Sequence, residues 1–205
     1  MRDCLIDFRK NLIMKIHSNL ERFSYAGREI VRFQLPTAEI LTDLILTQLN
    51  DSLPESTHSH LINGRWENTY LSIERVPAVR EVIIAARNIA VEVYGNPLLA
   101  LFDPVGDSSR PPFWFNLAEP REITGVHDHV HQACISGVFY LRVPPKSGNL
   151  FFREEGKEDF VLESIMGNIV LFPSSLRHGV MENRSEDIRI SLAFNIFSLP
   201  IPAFA

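Results

Sequence analysis

Cysteine is nearly absent from the sequence, which has Cys4 and Cys134 and no others. Two cysteines this far apart provide neither a disulfide framework nor a Cys-x-x-Cys metal knuckle. An ordinary hydrophobic core must therefore stabilise the fold. Hydrophobic residues at 45% and charged residues at 22% are enough to build one.

The sequence also lacks an excess of cations and any long hydrophobic run. Its formal net charge of −5 disfavours a nucleic-acid partner, because no general cationic field would attract phosphates. Charged residues interrupt each apolar run near the N-terminus, so no signal peptide or membrane span is expected. We expect a cytoplasmic protein without a membrane or nucleic-acid partner.

The residue pattern changes character at Pro97, although its length favours a single domain over 1–205. Apolar residues at helical spacing predict helices over 37–50, with Thr37 as N-cap, and over 79–94, ended by Gly95. The polar stretch 51–70 between them predicts a loop or lid. Residues 1–97 are thus expected to be a helix-rich support.

Residues 98–199 carry short aromatic and β-branched segments separated by turn residues. Their spacing is typical of an all-β sandwich or barrel. The expected strands are 98–102, 112–117, 134–143, 148–153, 160–162, 168–172 and 187–197. The fold class predicted is mainly β with α-helical N-terminal support.

The last strand has two contrasting faces. Its even-numbered residues from Ile188 to Ile196 are apolar, whereas Arg189, Ser191, Ala193 and Asn195 share the other face. The second face points either to solvent or into a polar cavity.

Histidines are concentrated at His127, His129 and His131. In an extended strand these three share a face, and two of them can hold one transition metal together with a ligand from elsewhere. His178, which follows an apolar strand, is the candidate for that ligand. Iron and zinc both suit such a set, and histidines of a polar surface strand are the alternative interpretation.

Arg189 and Ser191 form a second candidate site. A guanidinium beside a hydroxyl can bind a carboxylate through charge-assisted hydrogen bonds. Taken alone, an exposed Arg paired with Glu186 or Asp187 is the simpler interpretation. A metal one strand away would favour carboxylate binding.

Three segments occur in a recognisable order: SGVFYL at 136–141, GNIVLFPSSLRH at 167–178 and RISLAFN at 189–195. With the GNLFF strand at 148–152 between them, they resemble a small family of 2-oxoglutarate/Fe(II)-dependent oxygenases. The hallmarks of that family are an SGVYYL-like strand, an LFPSxLxHxV segment and an RISLSFN-like last strand. The resemblance spans roughly residues 112–197.

The resemblance implies a double-stranded β-helix, or jelly roll, of cupin-like form, with Fe(II), 2-oxoglutarate and O2 at its site. Carried over, His127, His129 and His178 would hold the iron. Arg189 with Ser191 would bind the far carboxylate of 2-oxoglutarate. Asn116 and Tyr140 are further candidates for the cavity wall.

The sequence departs from the superfamily in one respect, since no Asp follows a His by two residues here. It offers His-x-His, as 127/129 or 129/131, and we prefer 127/129 because its distance from Asn116 suits the family. Asp128 is out of phase on an ideal strand, although a bulge could turn it inward. Asp128 and His131 therefore remain alternate ligands.

The expected activity is hydroxylation of an unactivated C–H bond of a small molecule or side chain, with loops 51–70 and 103–112 as candidate lids. The alternatives are a three-His dioxygenase that does not use 2-oxoglutarate and a non-catalytic jelly-roll binding protein. The apolar tail 199–205 could cover the barrel or meet a second subunit, so a homodimer is possible.

Overall fold

The computed structural model describes residues 19–62, 65–105 and 108–201. Cys4, His17 and the tail residues 202–205 lie outside this part of the chain, and Cys134 is a free, half-buried thiol. The described chain has two helices, α1 and α2, and thirteen strands. These are, in order, β1 (Glu21–Tyr25), β2 (Arg28–Gln34), α1 (Ala38–Ser52), β3 (Thr57–Ile62), β4 (Arg65–Tyr70), α2 (Val79–Tyr94), β5 (Leu98–Leu99), β6 (Phe113–Ala118), β7 (Thr124–His127), β8 (Ile135–Arg142), β9 (Leu150–Phe152), β10 (Phe160–Leu162), β11 (Asn168–Pro173), β12 (His178–Val180) and β13 (Arg189–Ser198).

The strands form two antiparallel sheets. The larger has the order β1-β2-β11-β8-β13-β6-β4-β3, with β5 added beside β13, and the smaller has the order β10-β9-β12-β7. They make a double-stranded β-helix without a closed barrel. Of the two arrangements expected for the strands, the sandwich-like jelly roll is therefore correct.

Alternating side chains divide the core into two layers, as strand geometry requires. On β11, Ile169 and Leu171 join the core beneath the helices, whereas Val170 and Phe172 join the core between the sheets. On β8, Phe139 and Tyr140 separate in the same way. The helices thus cover one face of the large sheet, and the other face is left for the smaller sheet and the site.

Helix α1 packs through a narrower stripe than its sequence pattern predicts. Leu41, Ile45 and Leu49 are buried, but Ile40 is 70% exposed and Leu44 is 45% exposed. Thr37 stands at the N-cap position without a capping bond, because its hydroxyl donates to Glu81 on α2. Helix α1 is thus tied to α2 by a side-chain contact at its start.

Helix α2 has the predicted bounds. Gly95 follows it with φ +71°, and its N–H donates to the Val91 carbonyl at 3.0 Å. A residue in the left-handed region is the usual way to end a helix, and glycine adopts it without strain. Neither described helix is long and apolar enough to cross a membrane.

The prediction of a loop over 51–70 is wrong, because these residues complete α1 and then form the hairpin β3–β4 at the edge of the large sheet. The first half also supplies β1 and β2, of which β2 pairs with β11 and β1 pairs with β2. The helix-rich support therefore contributes four strands that its pattern did not indicate. The division of one domain at residue 97 stays a prediction.

Candidate metal centre and active site

Two short strands of the small sheet bring the candidate histidines together. His127 is the last residue of β7 and His178 the first of β12, and the two are direct partners across this antiparallel pair. His129 lies beyond the strand, where its backbone N–H donates to the Ser174 carbonyl at 2.9 Å. A turn anchored to the β11–β12 loop thus places the third ring.

The three imidazoles form one compact cluster. One nitrogen from each of His127, His129 and His178 lies within 4.8 Å of the other two. The ring centres of His127 and His178 are 4.5 Å apart, and that of His129 is 4.9 Å from His127 and 5.6 Å from His178. The spacing suits three ligands that converge on one transition metal.

Hydrogen bonds at Nδ1 orient each ring. Nδ1 of His127 lies 2.8 Å from the Gly125 carbonyl, that of His178 lies 2.9 Å from the Leu176 carbonyl, and that of His129 lies 3.1 Å from the Gln132 side-chain oxygen. A carbonyl oxygen only accepts, so Nδ1 of each neutral ring carries the proton. The Nε2 lone pairs are left available to a metal, which is the usual arrangement around a metal-binding histidine.

Burial keeps the rings of His129 and His178 neutral. It lowers the pKa of His129 to about 4, with His127 as the next contribution, and it lowers the pKa of His178 well below its usual range for the same two reasons. A histidine must be neutral to bind a metal, so His129 and His178 are ready for one near neutral pH.

The two alternate ligands lie apart from this cluster. His131 is exposed and does not line the cavity. Asp128 is exposed at the rim of the cavity, where a carboxylate oxygen accepts a hydrogen bond from the Val130 N–H at 3.3 Å. The group of converging ligand atoms contains neither residue.

Arg189 lies inside the protein and not on its surface. It is 1% exposed, its Nη1 donates to the Ser147 carbonyl, and with Ser191 it lines the same cavity as the histidines. The expected alternative of an exposed Arg is wrong, because this side chain is buried. The polar face of β13 points into a cavity.

Tyr140 and Asn116 also line this cavity. The Asn116 amide nitrogen donates to the Glu67 carbonyl at 2.7 Å. Burial raises the pKa of Tyr140. The Ser164 hydroxyl is close enough to oppose part of this rise, but the two hydroxyls do not form a hydrogen bond of normal geometry.

The cavity holds about 300 Å³ between the two sheets. Val138, Leu150, Phe172 and Val180 make its apolar wall. Its mouth includes residues of the β3–β4 hairpin that the sequence interpretation missed. These are His60, Glu67, Asn68 and Tyr70. The polar composition of residues 65–70 gives no clear hydrophobic alternation, so the sequence carries little signal for this strand.

The distal half of the site matches a known sequence family. Residues 155–195 match the family described as "Putative 2OG-Fe(II) oxygenase", and this segment includes His178, Arg189 and Ser191. This segment, about a fifth of the chain, is similar to the 2-oxoglutarate/Fe(II) oxygenases. Enzymes of this family use Fe(II), 2-oxoglutarate and dioxygen. The chain resembles no curated protein closely enough to count as a match.

Solved structures share the fold of this chain. The carbocyclase SnoK from nogalamycin biosynthesis, described as non-heme and α-ketoglutarate-dependent, matches with a TM-score of 0.64 and 14% identity over 82% of this chain and 79% of its own. A prolyl-4-hydroxylase from Pseudomonas putida matches with a TM-score of 0.61 and 16% identity over 82% and 92%. The epimerase SnoN, solved with Fe3+, α-ketoglutarate and a nogalamycin compound, has a TM-score of 0.60 and 14% identity over 82% and 78%.

Proposed function

We propose that the chain is an oxygenase that hydroxylates an unactivated C–H bond of a small molecule, with Fe(II) held by His127, His129 and His178. The observation that carries this proposal is the convergence of three histidine nitrogens in a cavity that also contains a buried Arg189. Arg189 and Ser191 would bind the distal carboxylate of 2-oxoglutarate. Asn116 and Tyr140 would complete the wall.

The histidine cluster fits Fe(II). Each ring is hydrogen-bonded at Nδ1, so the three Nε2 lone pairs are left for one metal ion. Three protein ligands leave coordination positions for a chelating co-substrate and for dioxygen. Because no protein carboxylate takes part, the three protein ligands would not neutralise any of the +2 charge of the iron.

The opposite side of the cavity fits a dicarboxylate. Arg189 is 1% exposed and held by the Ser147 carbonyl, so its guanidinium is already oriented before a ligand arrives. The buried Tyr140 hydroxyl makes no hydrogen bond to a described residue and is available to a carboxylate oxygen. A charge-assisted hydrogen bond from Arg189, with the neutral Tyr140 hydroxyl beside it, would fix both the position and the plane of the bound carboxylate.

The remaining residues of the cavity would position the substrate and exclude water. Bound Fe(II), with 2-oxoglutarate and dioxygen, would supply the oxidising power. The apolar wall of Val138, Leu150, Phe172 and Val180 keeps water from the cavity, which strengthens the interactions of Arg189. The open end at Trp114 and Tyr70 is where a substrate would enter.

A three-His dioxygenase that does not use 2-oxoglutarate is a second candidate. The absence of a carboxylate from the converging group favours it. It leaves the burial of Arg189 beside the metal site without a purpose. A purely non-catalytic binding protein is disfavoured by the family match. A cytoplasmic location and a homodimer stay predictions.

Anaerobic titration with Fe(II) and then 2-oxoglutarate tests the proposal. A weak visible charge-transfer band is expected when 2-oxoglutarate chelates the iron. Arg189→Gln should weaken 2-oxoglutarate binding at least about tenfold, because it removes a charge-assisted hydrogen-bond donor. Iron binding itself should be unchanged.

Arg142→Gln is the matched control. Arg142 lies on the neighbouring strand β8, but it is exposed and pairs with Asp187 at 3.5 Å. This variant should bind 2-oxoglutarate like the parent protein. The proposal fails if iron binds but no band forms, or if the two variants behave alike. The first of these results would support the second candidate.

A further inference from the structure

A groove of about 320 Å³ adjoins the metal cavity at its open end. The two spaces share His60, Tyr70, Trp114 and Gln132, so they lie side by side. Arg110 lines the groove, and none of the described residues that line it is acidic. The two acids Glu67 and Asp128 line the metal cavity instead.

His60 has an unusual backbone conformation at this junction. Its φ is +59°, and it is left out of the ladder in which Ser59 pairs with Asn68 and Leu61 pairs with Trp66. A non-glycine residue in the left-handed region is uncommon and is often retained at a functional site. The side chain of His60 is thereby turned toward the cavity and groove that it lines.

A chain of hydrogen bonds fixes the tautomer of His60. The Asn116 side-chain nitrogen is identified by its donation to the Glu67 carbonyl at 2.7 Å, so its second contact, at 3.1 Å, must be the Asn68 oxygen. The nitrogen of Asn68 then faces Nδ1 of His60 at 3.1 Å. The Ser59 hydroxyl lies 2.8 Å from the same Nδ1.

Nδ1 of neutral His60 must therefore accept hydrogen bonds, and its proton is on Nε2. This is the reverse of the three metal-site histidines, which donate from Nδ1. On the far side of the ring from Asn68, His60 offers an N–H donor and no lone pair.

Arg110 is positioned by the same hairpin. Its Nη2 donates to the His58 carbonyl at 3.2 Å, and its guanidinium carbon lies 5.4 Å from the centre of the Tyr70 ring. A guanidinium held by a carbonyl and an aromatic face loses little freedom when an anion binds. Arg110 and His60 thus place a cation and an N–H donor in one groove.

We propose that this groove binds an anionic oxygen group of the primary substrate, a carboxylate or a phosphate, through Arg110 and the Nε2–H of His60. The substrate carbon that reacts would then lie in the adjoining metal cavity. The assignment of that cavity rests on the proposed function. Two donors, one of them charged, and no lining acid among the described residues select an anion over an ammonium group.

The test uses four probes of equal chain length, namely hexanoate, hexyl phosphate, hexylamine and hexan-1-ol. Each is titrated calorimetrically into Zn(II)-loaded protein with saturating 2-oxoglutarate, so that Arg189 is occupied. At least one anionic probe should bind about tenfold or more tightly than the alcohol and the amine. Comparison of the two anions tells a carboxylate site from a phosphate site.

Variants assign the binding to the groove. Arg110→Gln and His60→Phe should each lower the affinity for the anionic probe, and Arg110→Gln should lower it about tenfold or more. Arg110→Lys should restore part of the affinity. Arg22→Gln is the matched control, because Arg22 is half exposed on β1 at the opposite edge of the sheet and should have no effect.

Equal binding of all four probes overturns the inference, as does equal affinity in Arg110→Gln and Arg22→Gln. These failures differ from a failure of the proposed function, in which 2-oxoglutarate itself does not bind. In that case the anionic probe is titrated into Arg189→Gln and into the double variant Arg189→Gln/Arg110→Gln. Weaker binding to the double variant would still support the groove, and equal binding would overturn it. Independently, 15N shifts should show His60 protonated at Nε2.

Discussion

Each site histidine has one nitrogen committed to the protein and one left for a ligand. The Gly125 and Leu176 carbonyls are backbone groups, so no side-chain substitution elsewhere can easily release His127 or His178. This explains how a site on two short strands can keep a fixed geometry.

His178→Ala should abolish tight metal binding, because two imidazoles remain where three converged. His131→Ala is the matched control, because His131 is close to His127 and His129 in the sequence but is exposed and outside the cavity. This variant should bind one metal ion per chain, like the parent protein. Zn(II) or Co(II) titration measures both, with circular dichroism as a check on folding. Loss of metal from His131→Ala would contradict the assigned set.

Tyr140→Phe should separate stability from co-substrate binding. The removed hydroxyl is buried without a normal hydrogen bond, so the free energy of unfolding should change by less than about 1 kcal/mol. The affinity for 2-oxoglutarate should fall about tenfold, because a donor to a carboxylate is lost. Urea unfolding and the charge-transfer titration measure the two effects. A large loss of stability with unchanged affinity would show that the hydroxyl has only a structural role.

At the scale of elements, the turn between β8 and β9 is fitted closely to the β12–β13 connection. Gly148 has φ +93°, and a Cβ placed there would lie 2.1 Å from the Met181 carbonyl oxygen and 2.9 Å from Nη1 of Arg189. This turn also carries Ser147, whose carbonyl holds Arg189. The turn is thus both a connection and a support for Arg189 in the wall of the cavity.

Gly148→Ala should destabilise the fold by more than about 2 kcal/mol and weaken 2-oxoglutarate binding, because backbone strain and a clash act together. Gly156→Ala supplies the control, since Gly156 has φ +75° but open space around it. It should cost only about 1 kcal/mol, the strain alone. Chemical denaturation gives the free energy of unfolding of both variants, and the difference between them measures the clash at Gly148. Equal losses of stability would show that there is no clash.

Sequence patterns predicted those elements that are marked by apolar residues between turn residues or at regular spacing. Helix α2, strand β10 and the two faces of β13 follow from apolar spacing, and the order of His178, Arg189 and Ser191 follows from recognisable segments. The β3–β4 hairpin could not be found in this way. Its strands lie at a sheet edge and carry polar side chains toward a cavity, so hydrophobic alternation is weak.

At the scale of the whole molecule, one large sheet separates structural from chemical residues. Its helix-covered face holds the larger core, and its other face supplies Tyr140, Arg189 and Ser191 to the cavity. A one-residue shift of β13 would exchange these sets, so the apolar face fixes the register that places Arg189. The residue pattern of β13 shows which of its faces is apolar, but it does not show which strands pair with it.

Helix α1 offers a test of this packing. Ile45→Ala should lower the free energy of unfolding by about 2–5 kcal/mol, since Ile45 is fully buried against the sheet. Ile40→Ala, in the same helix but 70% exposed, should change it by less than about 0.5 kcal/mol. Urea denaturation distinguishes them, and similar losses would mean that α1 docks through another face.

The most direct test of the account is an anaerobic crystal structure with Mn(II), in place of Fe(II), and 2-oxoglutarate. We predict a metal bound by Nε2 of His127, His129 and His178, with the distal carboxylate of 2-oxoglutarate on Arg189. A metal bound through Asp128 or His131, or a 2-oxoglutarate molecule that does not contact Arg189, would contradict it.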